Sequence, residues 1–314
     1  MSLRLGYGSN GFGDHRLDDA LAVIADLGYE GVALTLDHPH LDPFAPDASA
    51  RTAAIARRLA DLGLAVVVET GARYLLDPWR KHEPTLVSDT GRDLRVELLR
   101  RAVRIGAELG AEAVSFWSGI LPEGVPDAVG WDRLTAGTAE VLAEAGRYGV
   151  VCAFEPEPGM FAATLTDVAE LRHRLGDPDR LRVTVDVGHL VCNEPLPAAD
   201  CVRRTGPLIA NVQLDDMRPG VHEHLEFGAG EIDLPGVLGA LIDTGYRGLA
   251  SVELPRHGHA APLVAARSLA ALRAALARAE AVRAAARVPA GAAPPPARGR
   301  TAPQNPPTRN GGGR

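Results

Sequence analysis

Aromatic side chains are scarce in this sequence: phenylalanine, tyrosine and tryptophan together make up 4% of its 314 residues. The core must therefore be assembled from alanine, valine, leucine and isoleucine, within a hydrophobic share of 46% that is ordinary for a soluble globular chain. Cysteine is nearly absent. The three thiols, Cys152, Cys192 and Cys201, are odd in number and form no CxxC pair, which points to reduced side chains in the cytoplasm rather than a disulfide framework. The opening "MSLRLGYGSN" lacks the charged-then-apolar run of a secretory leader. No apolar segment is expected to reach the length that spans a bilayer. Positive charge is in deficit too: a net charge of −7 disfavours a nucleic-acid backbone as the partner, since such binding needs a basic face.

Large apolar side chains are also missing from "PAGAAPPPARGRTAPQNPPTRNGGGR", residues 289–314, in which 12 of 26 residues are proline or glycine. Such a segment cannot bury enough surface to offset its ordering entropy, so a disordered tail is expected, either a tolerated extension or a weak electrostatic tether. It holds four arginines and no acids, so the whole-chain −7 becomes −11 for residues 1–288.

What is present is a recurring pattern. "LAVIADLGYEGVAL", "IARRLADLGLAVVVE", "AVRIGAELGAEAVSFW", "VLAEAGRYGVVCAFE" and "VLGALIDTGYRGLASVE" each read as the end of an amphipathic helix, a glycine, and a short apolar strand. Glycine just past a helix takes the left-handed conformation that ends it. The uninterrupted apolar runs that follow suit strands covered on both faces, as in parallel sheets. Eight such strands are expected: residues 3–7, 31–36, 65–70, 113–117, 150–155, 182–187, 209–214 and 248–254. With helices between them they predict a (β/α)8 TIM barrel over residues 1–288. A doubly wound open sheet is the competing architecture, but no glycine-rich phosphate fingerprint follows the first strand.

Barrels of this kind place chemistry at the C-terminal ends of their strands. Strand three ends on Glu69, with Arg73 beyond it. Strand five ends on Glu155, followed by Glu157. Strand six, "VTVDVGH", brings Asp186 and His189. Strand seven brings Gln213, then Asp215, Asp216 and Arg218. Strand eight brings Glu253, then Arg256, His257 and His259. Three carboxylates and an amide oxygen at one rim would repel one another unless a cation sits among them. Oxygen donors suit Mg²⁺ or Mn²⁺, whereas an imidazole would pull toward Zn²⁺ or Co²⁺. The long loop "GARYLLDPWRKHEPTLVSDTGRD" carries Arg73, Lys81 and His82 and reads either as a solvated surface loop or as a lid offering cations to a phosphate or carboxylate.

"FEPEP", "VTVDVGH", "NVQLDD" and "VELPRHGH", in this order, resemble the xylose-isomerase-like barrels of sugar and sugar-phosphate isomerases and epimerases. "GVHEHLEFGAGEID" is similar to that family's His-rich loop followed by Gly-x-Gly-x-[Ile/Val]-Asp. The resemblance implies one divalent metal held by Glu155, Asp186, Gln213 and Glu253. It implies that Glu155 and Glu253 also transfer the proton beside a substrate carbonyl, and that His189 and Arg218 bind substrate, with Arg73, Glu157, His222, His224 and His257 as further candidate contacts. The expected partner is a small sugar, sugar phosphate or cyclitol, with a homodimer left open.

Gln213 stands where the family more often has histidine. It also occurs in dehydratase-like branches, such as those acting on dehydroshikimate, so isomerase and dehydratase both remain open. His222 and His224 align with second-metal positions of the related endonuclease IV barrels, but strands three and four end without the histidines that branch adds. A non-catalytic sugar binder is the remaining alternative. The plainer readings are that Asp186 is a helix cap, His189 a satisfied core histidine, and Glu157 a rim carboxylate behind the ligands.

Overall fold

The computed structural model describes residues 3–71 and 73–287; the expectation for residues 289–314 lies outside them. Eight parallel strands close a barrel: β1 (Arg4–Gly8), β2 (Gly31–Thr35), β3 (Ala65–Glu69), β4 (Val114–Phe116), β5 (Cys152–Phe154), β6 (Leu181–Asp186), β7 (Ile209–Leu214) and β10 (Leu249–Val252). Each lies beside its sequence neighbour, and β10 returns to pair with β1 through Arg4 and Leu249. Between β7 and β10 an antiparallel hairpin is inserted, β8 (Asp216–Arg218) and β9 (Val221–Leu225), which the strand count did not foresee.

The helices are α1 (Leu17–Leu27), α2 (Ala48–Leu62), α3 (Arg92–Leu109), α4 (Asp127–Tyr148), α5 (Leu165–Arg174), α6 (Val187–Asn193), α7 (Ala198–Thr205), α8 (Leu234–Asp243) and α9 (Ala261–Arg287). Four of them end as the repeated glycine predicts, with Gly28, Gly63, Gly110 and Gly149 at φ of 92°, 66°, 65° and 73°. By length and composition, Gly258–Ala285 would suffice to cross a bilayer, which corrects the expectation that no segment could. Its alanines make it apolar. In the fold it buries Val264, Ala265, Leu269 and Leu272, and Tyr29 donates to the Ala265 carbonyl at 2.9 Å.

Strand side chains alternate, so every second residue points into the barrel. At the bottom, Val67, Ala113, Ala153 and Leu249 form a small cluster separate from the main core between sheet and helices. Leu249 fills space that the first two strands leave open. A Cβ on Gly6 would stand 2.8 Å from its Cδ2, and one on Gly31 2.6 Å from its Cδ1. One step higher the interior turns polar: Ser115 Oγ and Thr184 Oγ1 are 2.8 Å apart, and Asn211 donates to Glu69 at 2.8 Å.

Candidate active site

The next inward step is the C-terminal rim. The same alternation that aims Val67 inward aims Glu69, and it carries Ala153 on to Glu155, Thr184 to Asp186, Asn211 to Gln213 and Ser251 to Glu253. A cavity of about 420 Å³ opens above them. Glu69, Glu155, Glu157, Gln213 and Glu253 line it, with Trp117 as an apolar wall and Arg73, Lys81 and Arg256 also in its lining. Glu155 and Glu253 follow strands separated by β6 and β7, so they line the cavity from separate parts of the rim.

Burial pushes these carboxyls up. Glu155 stands well above the usual glutamate range through desolvation first, then through the charges of Glu253, Glu157, Glu69 and Asp186. Glu253 is raised to about 8, and Glu69 and Glu157 to about 7, with desolvation the leading cause in each. Asn10 donates to Glu253 Oε1 at 2.9 Å, which leaves Oε2 buried without a partner. Asp186 Oδ2 and Gln213 Oε1 are likewise buried and unpartnered among the described residues. Orphaned buried oxygens cost free energy unless something satisfies them. Glu155 and Asp186 come within 4.8 Å of one another together with His189, and Asp186 does so with Asp215 and His224, donor sets that fit a divalent cation; among the described residues Glu253 joins neither group.

Asp186 is also the helix cap its position suggested: Oδ1 accepts the His189 backbone N–H at 2.9 Å at the start of α6. Capping uses one oxygen and leaves the other for the site. His189 is buried; its Nδ1 lies 3.2 Å from the Pro156 carbonyl and its Nε2 3.1 Å from His222 Nε2. Desolvation lowers its pKa to about 4, so it is neutral at pH 7. His222 and His224, both on β9, share a face as residues two apart in a strand must, and His189, His222 and His224 gather within 4.8 Å. His224 Nδ1 is 2.6 Å from Asp215 Oδ2, which orients the ring.

The loop that follows this hairpin is tied back to it by one buried carboxylate. Asp216 accepts the backbone N–H groups of Gly228, Gly230 and Ile232 at 2.8, 3.0 and 2.9 Å. Asp216→Ala is expected to lower stability by about 2–4 kcal/mol, because three amides lose a charged acceptor. Thermal melting reads the loss. Protection from hydrogen exchange should fall first at residues 228, 230 and 232; unchanged protection there would contradict this account.

Two candidate contacts do not gather. Arg218 points away: its side chain is 50% exposed, donates to the Ala229 carbonyl at 2.7 Å and lies 3.9 Å from Glu223. It sits at the end of β8, where the hairpin turns out of the barrel. His257 is also outside the lining, 4.0 Å from Glu226. Arg256 lines the cavity instead. Sequence reasoning overlooked Asn10, Asn211 and Trp117, and it named Asp215 at the end of strand seven without giving it a role. Asn211 was within reach, since it lies two residues from Gln213. Asn10 follows β1, whose end, Gly8-Ser9-Asn10-Gly11, carries no charge to mark it.

The long loop is anchored rather than free. Arg95 on α3 is buried and donates to the Pro84 carbonyl at 2.8 Å, to the Thr70 carbonyl at 3.5 Å and to the His82 carbonyl, with its guanidinium 4.8 Å from the Trp117 ring. Burial lowers its pKa to about 10, so it stays charged. His82 Nδ1 lies 2.7 Å from the Gly71 carbonyl, closing the loop on itself.

The model of the xylose isomerase-like TIM barrel family matches residues 21–284. An uncharacterized protein of Methanocaldococcus jannaschii is 28% identical over 182 residues, 56% of this chain and 62% of that protein, so the chain spans less than two thirds of this curated relative. Among solved structures, an L-ribulose 3-epimerase superposes with a TM-score of 0.74 at 20% identity, covering 92% of this chain and 99% of that one. A D-tagatose 3-epimerase-like protein gives 0.73 at 21% identity, covering 90% and 100%. A 3-keto-D-glucoside 4-epimerase from E. coli gives 0.70 at 14% identity, covering 87% and 100%. At these identities the likeness shows the fold alone.

Proposed function

We propose that this chain, which belongs to the xylose isomerase-like TIM barrel family, is a divalent-metal-dependent epimerase or isomerase of a small sugar or cyclitol. What supports the reading is that Glu155 and Glu253 line one cavity from separate strands, with unpartnered buried oxygens on Asp186 and Gln213 at neighbouring strand ends. Solved relatives by fold that are described as sugar epimerases support it.

Glu155, Asp186, Gln213 and Glu253 would hold the cation, which supplies Lewis acidity and charge compensation in the cavity. The chain's own groups do the rest. One glutamate takes the proton from the carbon beside the substrate carbonyl, and the other returns a proton to the opposite side, inverting that centre. Asn10 fixes the Glu253 carboxylate through Oε1. His189, held by the Pro156 carbonyl, and His224, held by Asp215, present ring nitrogens to substrate hydroxyls. Trp117 offers a flat surface to the sugar's C–H groups.

The test is proton exchange. Ketopentoses and ketohexoses incubated with the Mn²⁺-supplemented protein in D₂O are expected to take up deuterium at the carbon beside the carbonyl, read by NMR. No uptake with any of them would overturn the reading. The Asp215–His224 pair also supports a dehydratase reading, because a backed imidazole can protonate a departing hydroxyl; that product would be lighter by one water.

Gln213→His tests the ligand set separately. An amide oxygen is a harder donor than imidazole nitrogen, so the variant is expected to gain affinity for Zn²⁺ and Co²⁺ relative to Mg²⁺, by roughly tenfold or more. Metal competition titrations on both proteins measure it, and an unchanged Zn²⁺:Mg²⁺ ratio would remove Gln213 from the set.

A further inference from the structure

The sequence has 33 basic side chains, and all but one are arginine. The exception, Lys81, lies in the cavity lining, with Arg73 and Arg256. Lys81 and Arg256 are exposed and Arg73 is half-buried, so the three stand toward the mouth, while the carboxylates occupy the strand ends below. Among the described residues, no carboxylate lies within 4.0 Å of Arg73 or Lys81. Arg256 reaches only Glu223, at 3.9 Å, which Arg218 shares at the same distance.

These cations therefore make no direct ion pair with the glutamates below, although the Lys81 charge is felt by Glu157, whose pKa it lowers against the effect of burial. Like charges around one opening repel, and a chain with an acidic body had no general need to put them there. They are also held in place. Arg73 and Lys81 belong to the loop that Arg95 clamps through the carbonyls of Thr70, His82 and Pro84. Using a buried charge on backbone carbonyls alone is costly, and here its effect is to fix the segment that bears two of the three cations. A lysine ammonium and two guanidiniums around one opening are the donors that recognise phosphate or carboxylate oxygens.

We propose that the substrate carries a second, anionic group, a phosphate ester or a carboxylate, at the end away from the reacting carbon, and that Arg73, Lys81 and Arg256 receive it. The inference rests on the reading of the cavity as a sugar site, but equilibrium binding tests it independently of turnover. The full chain, loaded with Mn²⁺, is titrated calorimetrically with two matched pairs: ribulose and ribulose 5-phosphate, and fructose and fructuronate. At least one anionic sugar is expected to bind about tenfold or more tightly than its neutral partner. A preference confined to the first pair identifies a phosphate, and one confined to the second a carboxylate. The preference should shrink in 0.5 M KCl. It should collapse toward parity in the R73Q/K81Q/R256Q variant, and fall severalfold in K81Q alone, whose exposed side chain can change without risk to folding.

The single lysine gives a readout free of catalysis. Reductive ¹³C-methylation labels Lys81 and the α-amino group, and the Lys81 methyl resonance is expected to shift with the anionic sugar and not with its neutral partner. Equal affinity within both pairs, absence of binding by both anionic sugars, a preference that survives R73Q/K81Q/R256Q, or a Lys81 signal indifferent to the anion would each overturn the proposal. Failure of every ketose to take up deuterium overturns the epimerase reading instead, and the binding ratios still decide this one.

Discussion

Glu155→Gln and Glu253→Gln are each expected to lower sugar turnover by about 10²–10⁴-fold while the barrel stays folded. Glutamine keeps the shape of the side chain and removes its capacity to take a proton. The two losses should not multiply in the double variant, because both glutamates serve one inversion and removing either already blocks it. Steady-state kinetics with circular dichroism as the folding control decides the matter. A single variant with full activity would end the two-glutamate account. Exchange adds detail: a variant that still washes deuterium into substrate but does not epimerise retains the base for that substrate and has lost its partner.

The second large effect is on the stability of the protein stripped of divalent ions. Without a cation, burial holds Glu253 at about 8 and Glu69 and Glu157 at about 7. Glutamate in an unfolded chain titrates near ~4.3, so each of these groups binds its proton more tightly when folded. Such a group favours the folded state fully at low pH, and that contribution is lost as pH rises through 7 and 8. The EDTA-treated protein should therefore melt lower at pH 8.5 than at pH 6, by roughly 5–10 °C. Mn²⁺ should raise the melting temperature, and raise it most at the alkaline end, where the carboxylates are already free of protons. At pH 6–7 the same binding should release protons to the buffer. Melting curves with and without Mn²⁺ that run parallel across this range would mean that the ion binds elsewhere.

The barrel was legible in the sequence because glycine-terminated helices and apolar strands repeat locally, and each unit is specified by its own few residues. The rim carboxylates were legible for the same reason: a charge closing an apolar run is a local anomaly. Arg218 turns outward because its direction depends on a hairpin, and a hairpin's exit angle is not written in strand periodicity; His257 lies in the loop after β10, at the start of a short turn, where strand alternation no longer applies. Asp215 was visible at the end of β7, but its pairing with His224 depends on how the hairpin folds back. Asn10 meets Glu253 across 243 positions of chain, and no spacing rule connects them. The role of Arg95 was hidden in a different way. As a charged residue in a helix it looks like surface, and only the fold reveals the backbone carbonyls it holds.

The inserted hairpin divides the site by origin. Glu155 and Glu253 stand at the ends of barrel strands, whose register closes around the ring and resists change. His222 and His224 ride on β9, outside that ring, with His224 fastened by the Asp215 carboxylate and the loop beyond them by that of Asp216. Such a segment can be exchanged between related barrels as a cassette if its partners on α6 and α9 come with it, the Cys192 carbonyl that accepts the Gly220 amide and Arg267 that pairs with Glu226. In such chimaeras the choice of sugar should travel with the hairpin, while the stereochemistry of proton transfer stays with the barrel.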